Sequence, residues 1–194
     1  SENPNKNLFD IPVRCAFDEV ADVVNLVPHP RNPNKHPDEQ ISLLAKVIRR
    51  GGFSVSMDRA FERVIGACAG MRCGGREGTW IVPDMIAAYC GLHRRGFAHS
   101  VEAWQGGRLV GGLYGVSLGR GFFGESMFTR VTNASKVALA ALAAYLAAEG
   151  FDFIDCQVTT GHLQRMGARE IPRETSLEEL RRSLKAPSRI GKWK

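Results

Sequence analysis

The stretch Ser100-Val101-Glu102-Ala103-Trp104-Gln105-Gly106-Gly107-Arg108-Leu109-Val110-Gly111-Gly112-Leu113-Tyr114 decides the fold class. Two β-like runs flank Gln105-Gly106-Gly107, a strong hairpin signal, because glycine accepts the backbone angles of a tight turn between strands. Toward the C-terminus, residues 116–118 read as a third strand, and Gly119-Arg120-Gly121 separates it from a fourth at Phe122 and Phe123. The period then changes. Residues 135–148 place Leu139, Leu142 and Leu146 at helical spacing among many alanines, which permit close packing on a sheet, and Gly150 ends the run. Residues 151–158 return to alternation and read as another strand. A meander followed by helix and strand fits a mixed α/β domain with a largely antiparallel sheet and flanking helices.

Toward the N-terminus, residues 83–95 form a helical pattern that opens with Pro83 and closes at Gly96. Residues 70–78 carry four glycines and read as an exposed connector. Phe53 to Met57 alternate as a strand, and Asp58 is expected to cap a helix bearing Phe61, Val64 and Ile65. Residues 28–35 are turn or extended chain because of their prolines. A helix is expected after Pro37, with Ile41, Leu44, Val47 and Ile48 on one face. At the other end, Ser176-Leu177-Glu178-Glu179 is a capping-box pattern, expected to open a C-terminal helix. The last ten residues are basic and expected to be mobile.

The 194 residues suffice for one sizeable domain, and a hydrophobic share of 44% argues against disorder over most of the length. Lys and Arg number 26 against 20 Asp and Glu, a formal charge of +6, which suits a polyanionic partner such as RNA without proving one. Cys15, Cys68, Cys73, Cys90 and Cys156 are odd in number and none is spaced as CxxC. That pattern argues for reduced thiols in the cytoplasm and against a zinc cluster or disulfide framework. His93, His99 and His162 lack ligand spacing, so no metal is expected. No run of signal-peptide or membrane-spanning character is visible, so a soluble cytoplasmic protein is expected.

Three side chains suggest chemistry. Glu125 lies in Gly124-Glu125-Ser126-Met127-Phe128, just after the aromatic strand. Asp155 and Gln157 lie two apart on the expected last strand, which would point both to one face. A carboxylate and an amide converging on a cleft would hold an amine and guide its proton during attack on an ester. The plainer alternative is that Asp155 is a structural hydrogen-bond partner and that Glu125 caps a turn or is solvated; spacing alone leaves both open.

Several motifs, in order and without gaps, resemble the leucyl/phenylalanyl-tRNA–protein transferases over residues 50–171. They are Gly78-Thr79-Trp80-Ile81, Met85-Ile86-Ala87-Ala88-Tyr89, His99-Ser100-Val101-Glu102-Ala103-Trp104, Leu109-Val110-Gly111-Gly112-Leu113-Tyr114-Gly115, residues 122–128, Ala134-Ser135-Lys136 and Asp155-Cys156-Gln157-Val158. The resemblance implies a GNAT-like acyltransferase fold that takes its acyl group from aminoacyl-tRNA. It implies addition of Leu, Phe or sometimes Met to proteins beginning with Arg or Lys, which marks them for degradation. Carried over by motif, Asp155 and Gln157 would orient the attacking α-amine, and Glu125, with Ser126 beside it, would receive the basic N-terminal residue. Trp80 would stack near the 3′-terminal adenosine, and Leu113, Phe122 and Met127 would belong to an apolar side-chain pocket. The aminoacyl ester is already activated, so neither metal nor nucleotide cofactor is expected. Arg94, Arg95, Arg108, Arg120 and Arg130 are candidates for tRNA backbone contacts, or a solvated face.

The family's N-terminal domain carries a tryptophan-rich segment ending in Ser-Pro-Asp-Pro-Arg. Here Val27-Pro28-His29-Pro30-Arg31 stands at about that place, without the double tryptophan. The stretch at about 20–48, with Asn32-Pro33-Asn34-Lys35-His36-Pro37-Asp38-Glu39-Gln40, resembles the opening of the ParB-like domains but lacks their arginine-rich nucleotide motif. The expected organisation is an N-terminal extension at 1–48, a transferase domain at 49–185 and a basic tail at 186–194, acting as a monomer. Competing readings are an acyl-CoA-dependent acyltransferase of GNAT type, which would need a pyrophosphate-binding loop opening a helix, and a non-catalytic nucleic-acid-binding module.

Overall fold

The computed structural model describes residues 13–16, 51–70 and 80–193. The strands are β1 (Val13–Ala16), β2 (Phe53–Met57), β3 (Ala98–Gln105), β4 (Arg108–Leu118), β5 (Gly121–Thr129), β6 (Phe153–Asp155) and β7 (Arg169–Ile171). The helices are α1 (Phe61–Ala69), α2 (Pro83–Arg94), α3 (Ala134–Ala148), α4 (Gly161–Arg165) and α5 (Arg173–Ser183). The strands form one sheet in the order β2-β3-β4-β5-β6-β1-β7. Neighbours from β2 to β5 run antiparallel, whereas β5–β6, β6–β1 and β1–β7 run parallel. The mixed α/β class with a largely antiparallel sheet is therefore the observed one. Among the described residues no helix is long and apolar enough to cross a membrane.

The β3–β4 hairpin forms where expected. Gly106 and Gly107 have φ of +55° and +74°, so both central turn residues take the left-handed geometry that matches strand twist. Each face of the sheet is covered. On one, α3 buries Val137, Leu142 and Leu146 against Val101, Leu113 and Phe122. On the other, α1 and α2 bury Phe61, Val64, Ile65 and Cys90 against Leu109, Tyr114 and Phe128. Burial of each such large side chain contributes roughly 1.5–3 kcal/mol, and this two-sided burial organises the domain. Gly111 lets α3 approach, since a Cβ there would stand 2.5 Å from that of Ala134.

Several local expectations are corrected. Asp58 does not cap α1, whose N-cap is Ala60. Its buried carboxylate instead accepts hydrogen bonds from the Ser100 backbone N–H at 2.9 Å, the His99 ring at 2.8 Å and the Trp193 backbone N–H at 2.8 Å. Three donors from distant chain segments outweigh one local cap. The third strand is not separate: β4 runs through to Leu118 with an irregularity between Tyr114 and Gly115. Helix α5 starts at Arg173 after Pro172, and the Ser176 N–H already donates to the Pro172 carbonyl, so Ser176 lies inside the helix. The chain end is packed. Gly119 N–H donates to Ser188 Oγ at 2.8 Å, Gly191 N–H donates to the Gly96 carbonyl at 3.2 Å, and Trp193 is buried. The helix expected after Pro37, the ParB-like segment and residues 71–79 of the connector lie outside the described residues.

Candidate active site

Strands β5 and β6 are hydrogen-bonded only from Gly121↔Phe153 to Phe123↔Asp155. Beyond that point β5 continues to Thr129, while the chain after Asp155 turns away at Gln157, whose φ is +59°. The sheet therefore splays, and a cavity of about 240 Å³ opens between the two strands beneath α3. Its apolar wall comes from Leu113, Phe122, Met127, Leu139, Leu142 and Ile154.

A bulge builds that wall. Tyr114 pairs with Ser126 but Gly115 pairs with Gly124, so Glu125 is an extra residue in β5. Strict alternation would place Phe122 and Met127 on opposite faces. The extra residue restores them to one face, and both line the cavity. Sequence reading ended the fourth strand before Glu125; the strand instead runs through it, and the irregularity is what breaks the alternating signal.

The polar rim follows from the same geometry. The Tyr89 hydroxyl on α2 donates to Glu125, and burial together with that carboxylate pushes the Tyr89 phenol up to about 12. Trp80, half exposed, meets Tyr89 edge-on with ring centres 6.4 Å apart. Ser126 shares a hydrogen bond with Cys68, whose thiol is pushed up to about 12 by burial. Asp155 Oδ1 accepts from the Gln157 backbone N–H at 2.8 Å. Burial raises the Asp155 carboxyl above its ordinary value, and that hydrogen bond partly counteracts it.

Trp80, Leu113, Phe122, Glu125, Ser126, Met127 and Gln157 all line the cavity. Asp155 stands beside it, joined through Gln157. The expectation that Asp155 and Gln157 share a strand face is corrected: β6 ends at Asp155, and Gln157 occupies an exposed left-handed turn. Tyr89, Tyr114, Cys156 and Thr160 belong to the site or its rim and were not singled out by sequence. Tyr89 and Tyr114 both fall in quoted motifs, and a tyrosine ending an apolar run was the available signal.

A family profile described as leucyl/phenylalanyl-tRNA protein transferase matches residues 38–181. The chain belongs to that family. It is similar to the leucyl/phenylalanyl-tRNA–protein transferase of Desulfatibacillum aliphaticivorans, with 56% identity over 152 residues covering 78% of this chain and 65% of the relative. Against the same transferase of Anaeromyxobacter sp. (strain Fw109-5), identity is 57% over 150 residues, covering 77% of this chain and 64% of the relative. The chain thus spans slightly less than two thirds of those transferases. Among solved structures, an aminoglycoside acetyltransferase from an uncultured soil metagenomic sample, in complex with sisomicin, aligns at 12% identity and a TM-score of 0.42, covering 76% of this chain and 97% of that one.

His99 donates to Asp58, and His93 bonds the Ala98 carbonyl at 2.8 Å. Among the described residues no group of His, Cys, Asp and Glu is arranged to hold a metal. Arg120 pairs with Asp152 at 3.1 Å, and Arg130 lies over the Phe128 ring.

Proposed function

We propose that this chain transfers Leu or Phe, and less often Met, from aminoacyl-tRNA to the α-amine of proteins beginning with Arg or Lys. The carrying observation is one apolar cavity, opened by the β5–β6 splay, with Glu125 and Gln157 at its polar rim and Asp155 beside it. Family membership supports the reading. The cavity suits a Leu or Phe side chain and disfavours polar ones, while among apolar side chains a methylene is worth only about 1–3 kcal/mol.

In this reading the acyl side chain enters among Leu113, Phe122 and Met127, and Trp80 stacks on the terminal adenosine. Glu125, supported by Tyr89 and next to Ser126, receives the basic side chain of the acceptor. Asp155 and Gln157 orient its α-amine. An α-amine with pKa of about 8 is partly neutral near pH 7, so positioning brings most of the advantage. The amine nitrogen attacks the ester carbonyl, the new amide bond forms as the ester C–O bond breaks, and the adenosine hydroxyl leaves with the proton the amine gives up. The domain responsible is residues 49–185, with 1–48 as extension and 186–194 as tail, in a cytoplasmic monomer. The product is a protein marked for N-degron degradation.

The test is transfer of labelled Leu or Phe from charged tRNA to a peptide beginning with Arg, with the intact chain and Asp155→Ala side by side. Transfer that collapses in the variant supports both reaction and site. A well-folded chain that transfers nothing at any tRNA concentration overturns the proposal.

A further inference from the structure

We infer that Trp193, at the far end of the chain, is a specificity-determining residue of the cavity, acting through Phe122. This rests on the transferase reading of that cavity. Trp193 is 3% exposed, and its ring centre lies 5.7 Å from that of Phe122, a fully buried wall residue. It also stacks on His99 at 3.8 Å and packs on Tyr145 of α3 at 4.9 Å. Phe122 is thus pressed between the cavity and an indole, and the indole decides how far its ring can retreat.

The position of the indole is itself fixed. The Trp193 backbone N–H donates to Oδ2 of the buried Asp58 carboxylate, the same oxygen to which the His99 ring donates. Upstream, Ser188 accepts from Gly119 N–H, and Gly191 sits on Gly96, where a Cβ would stand 2.2 Å from the Gly191 nitrogen. Protein interiors are close-packed, so a smaller side chain at 193 leaves space that Phe122 can take. The cavity then deepens at its Phe122 wall, which gains more for a larger acyl side chain than for a smaller one.

Trp193→Leu, Trp193→Phe and Ser188→Ala would be compared with the intact chain for transfer from Leu-tRNA and Phe-tRNA, and for calorimetric binding of leucine and phenylalanine ethyl esters. Melting curves would confirm folding. The expected result for Trp193→Leu is a rise of about fivefold or more in the Phe-to-Leu preference, the scale on which a methylene-sized change is read in an apolar pocket. Trp193→Phe, which keeps an aromatic ring against Phe122, should stay close to the intact ratio. Ser188→Ala weakens the same segment without touching Phe122 and should leave the ratio unchanged. Equal losses for both amino acids in Trp193→Leu would overturn the inference and reduce Trp193 to a clamp. If the intact chain transfers neither amino acid, the reaction assignment fails, and the ester preference alone decides the role of Trp193. An intact chain that binds neither ester overturns both.

Discussion

The Asp155 carboxylate accepts a hydrogen bond from the backbone N–H of Gln157 at 2.8 Å. That bond closes a tight turn and explains how a left-handed Gln157 is tolerated: the short carboxylate satisfies the N–H that leaves the sheet. One residue therefore has two tasks, holding the turn and presenting charge beside the cavity.

Asp155→Asn should lower kcat/KM for an Arg-starting peptide by about a hundredfold or more, the usual scale for a proton-handling side chain. Burial raises the Asp155 pKa above the ordinary 3.8, so as pH falls its charge is lost earlier than that of an exposed aspartate. The acid limb of the kcat/KM profile should consequently include a step above 3.8 that is missing from the residual activity of the Asn variant. An identical limb in both proteins would remove Asp155 from the proton chemistry.

Tyr89→Phe deletes the phenol that donates to Glu125. A hydrogen bond to a charged group contributes about 1.5–3 kcal/mol, so KM for the basic peptide should rise about tenfold or more. The KM for aminoacyl-tRNA should move less. A uniform effect on both substrates would separate Tyr89 from the acceptor site.

Two glycines should respond in opposite directions. Gly115 lies beside the bulge, where a Cβ would stand 2.2 Å from the Phe123 carbonyl oxygen and 2.6 Å from the Phe122 ring. Gly115→Ala should cost about 1–3 kcal/mol and lower Tm by several degrees. Gly66 in α1 has nothing within 4 Å of its would-be Cβ, so Gly66→Ala should raise stability by up to about 1 kcal/mol. Thermal melts of the two variants check both signs.

His162 loses proton affinity through burial, with Lys136 and Arg165 adding like-charge repulsion, so its pKa lies below 6.5. A depressed histidine binds fewer protons folded than unfolded. Stability is therefore complete above 6.5 and declines as pH falls through the window below it. His162→Gln should flatten that decline, as read from denaturant midpoints between about pH 7 and pH 5. An unchanged slope would assign the acid sensitivity elsewhere.

What could be read in the sequence was whatever repeats locally. The Gly106-Gly107 hairpin, α2 and α3 announce themselves by turn chemistry and by period, and the family motifs brought Glu125, Asp155 and Gln157 to one neighbourhood. The bulge at Glu125 was hidden because an inserted residue looks like noise in an alternating pattern. Asp58 was misread as a cap because its real partners, Ser100, His99 and Trp193, are remote in the chain. Trp193 was misread with its basic neighbours, since composition describes Lys192 and misses a single buried indole.

The bond between Asp58 and Trp193 joins residues 135 positions apart. During synthesis the strands and helices from β2 to α3 emerge first, so the Asp58 carboxylate, already held by Ser100 and His99, waits for its third donor until almost all of the described chain has been made. Closing so long a loop is slow and entropically costly, and it must follow the assembly of the hairpin and its helices. The last step of folding would then be the docking of the segment that carries Trp193, and a nascent chain that stalls before it would carry a formed sheet with an open seam.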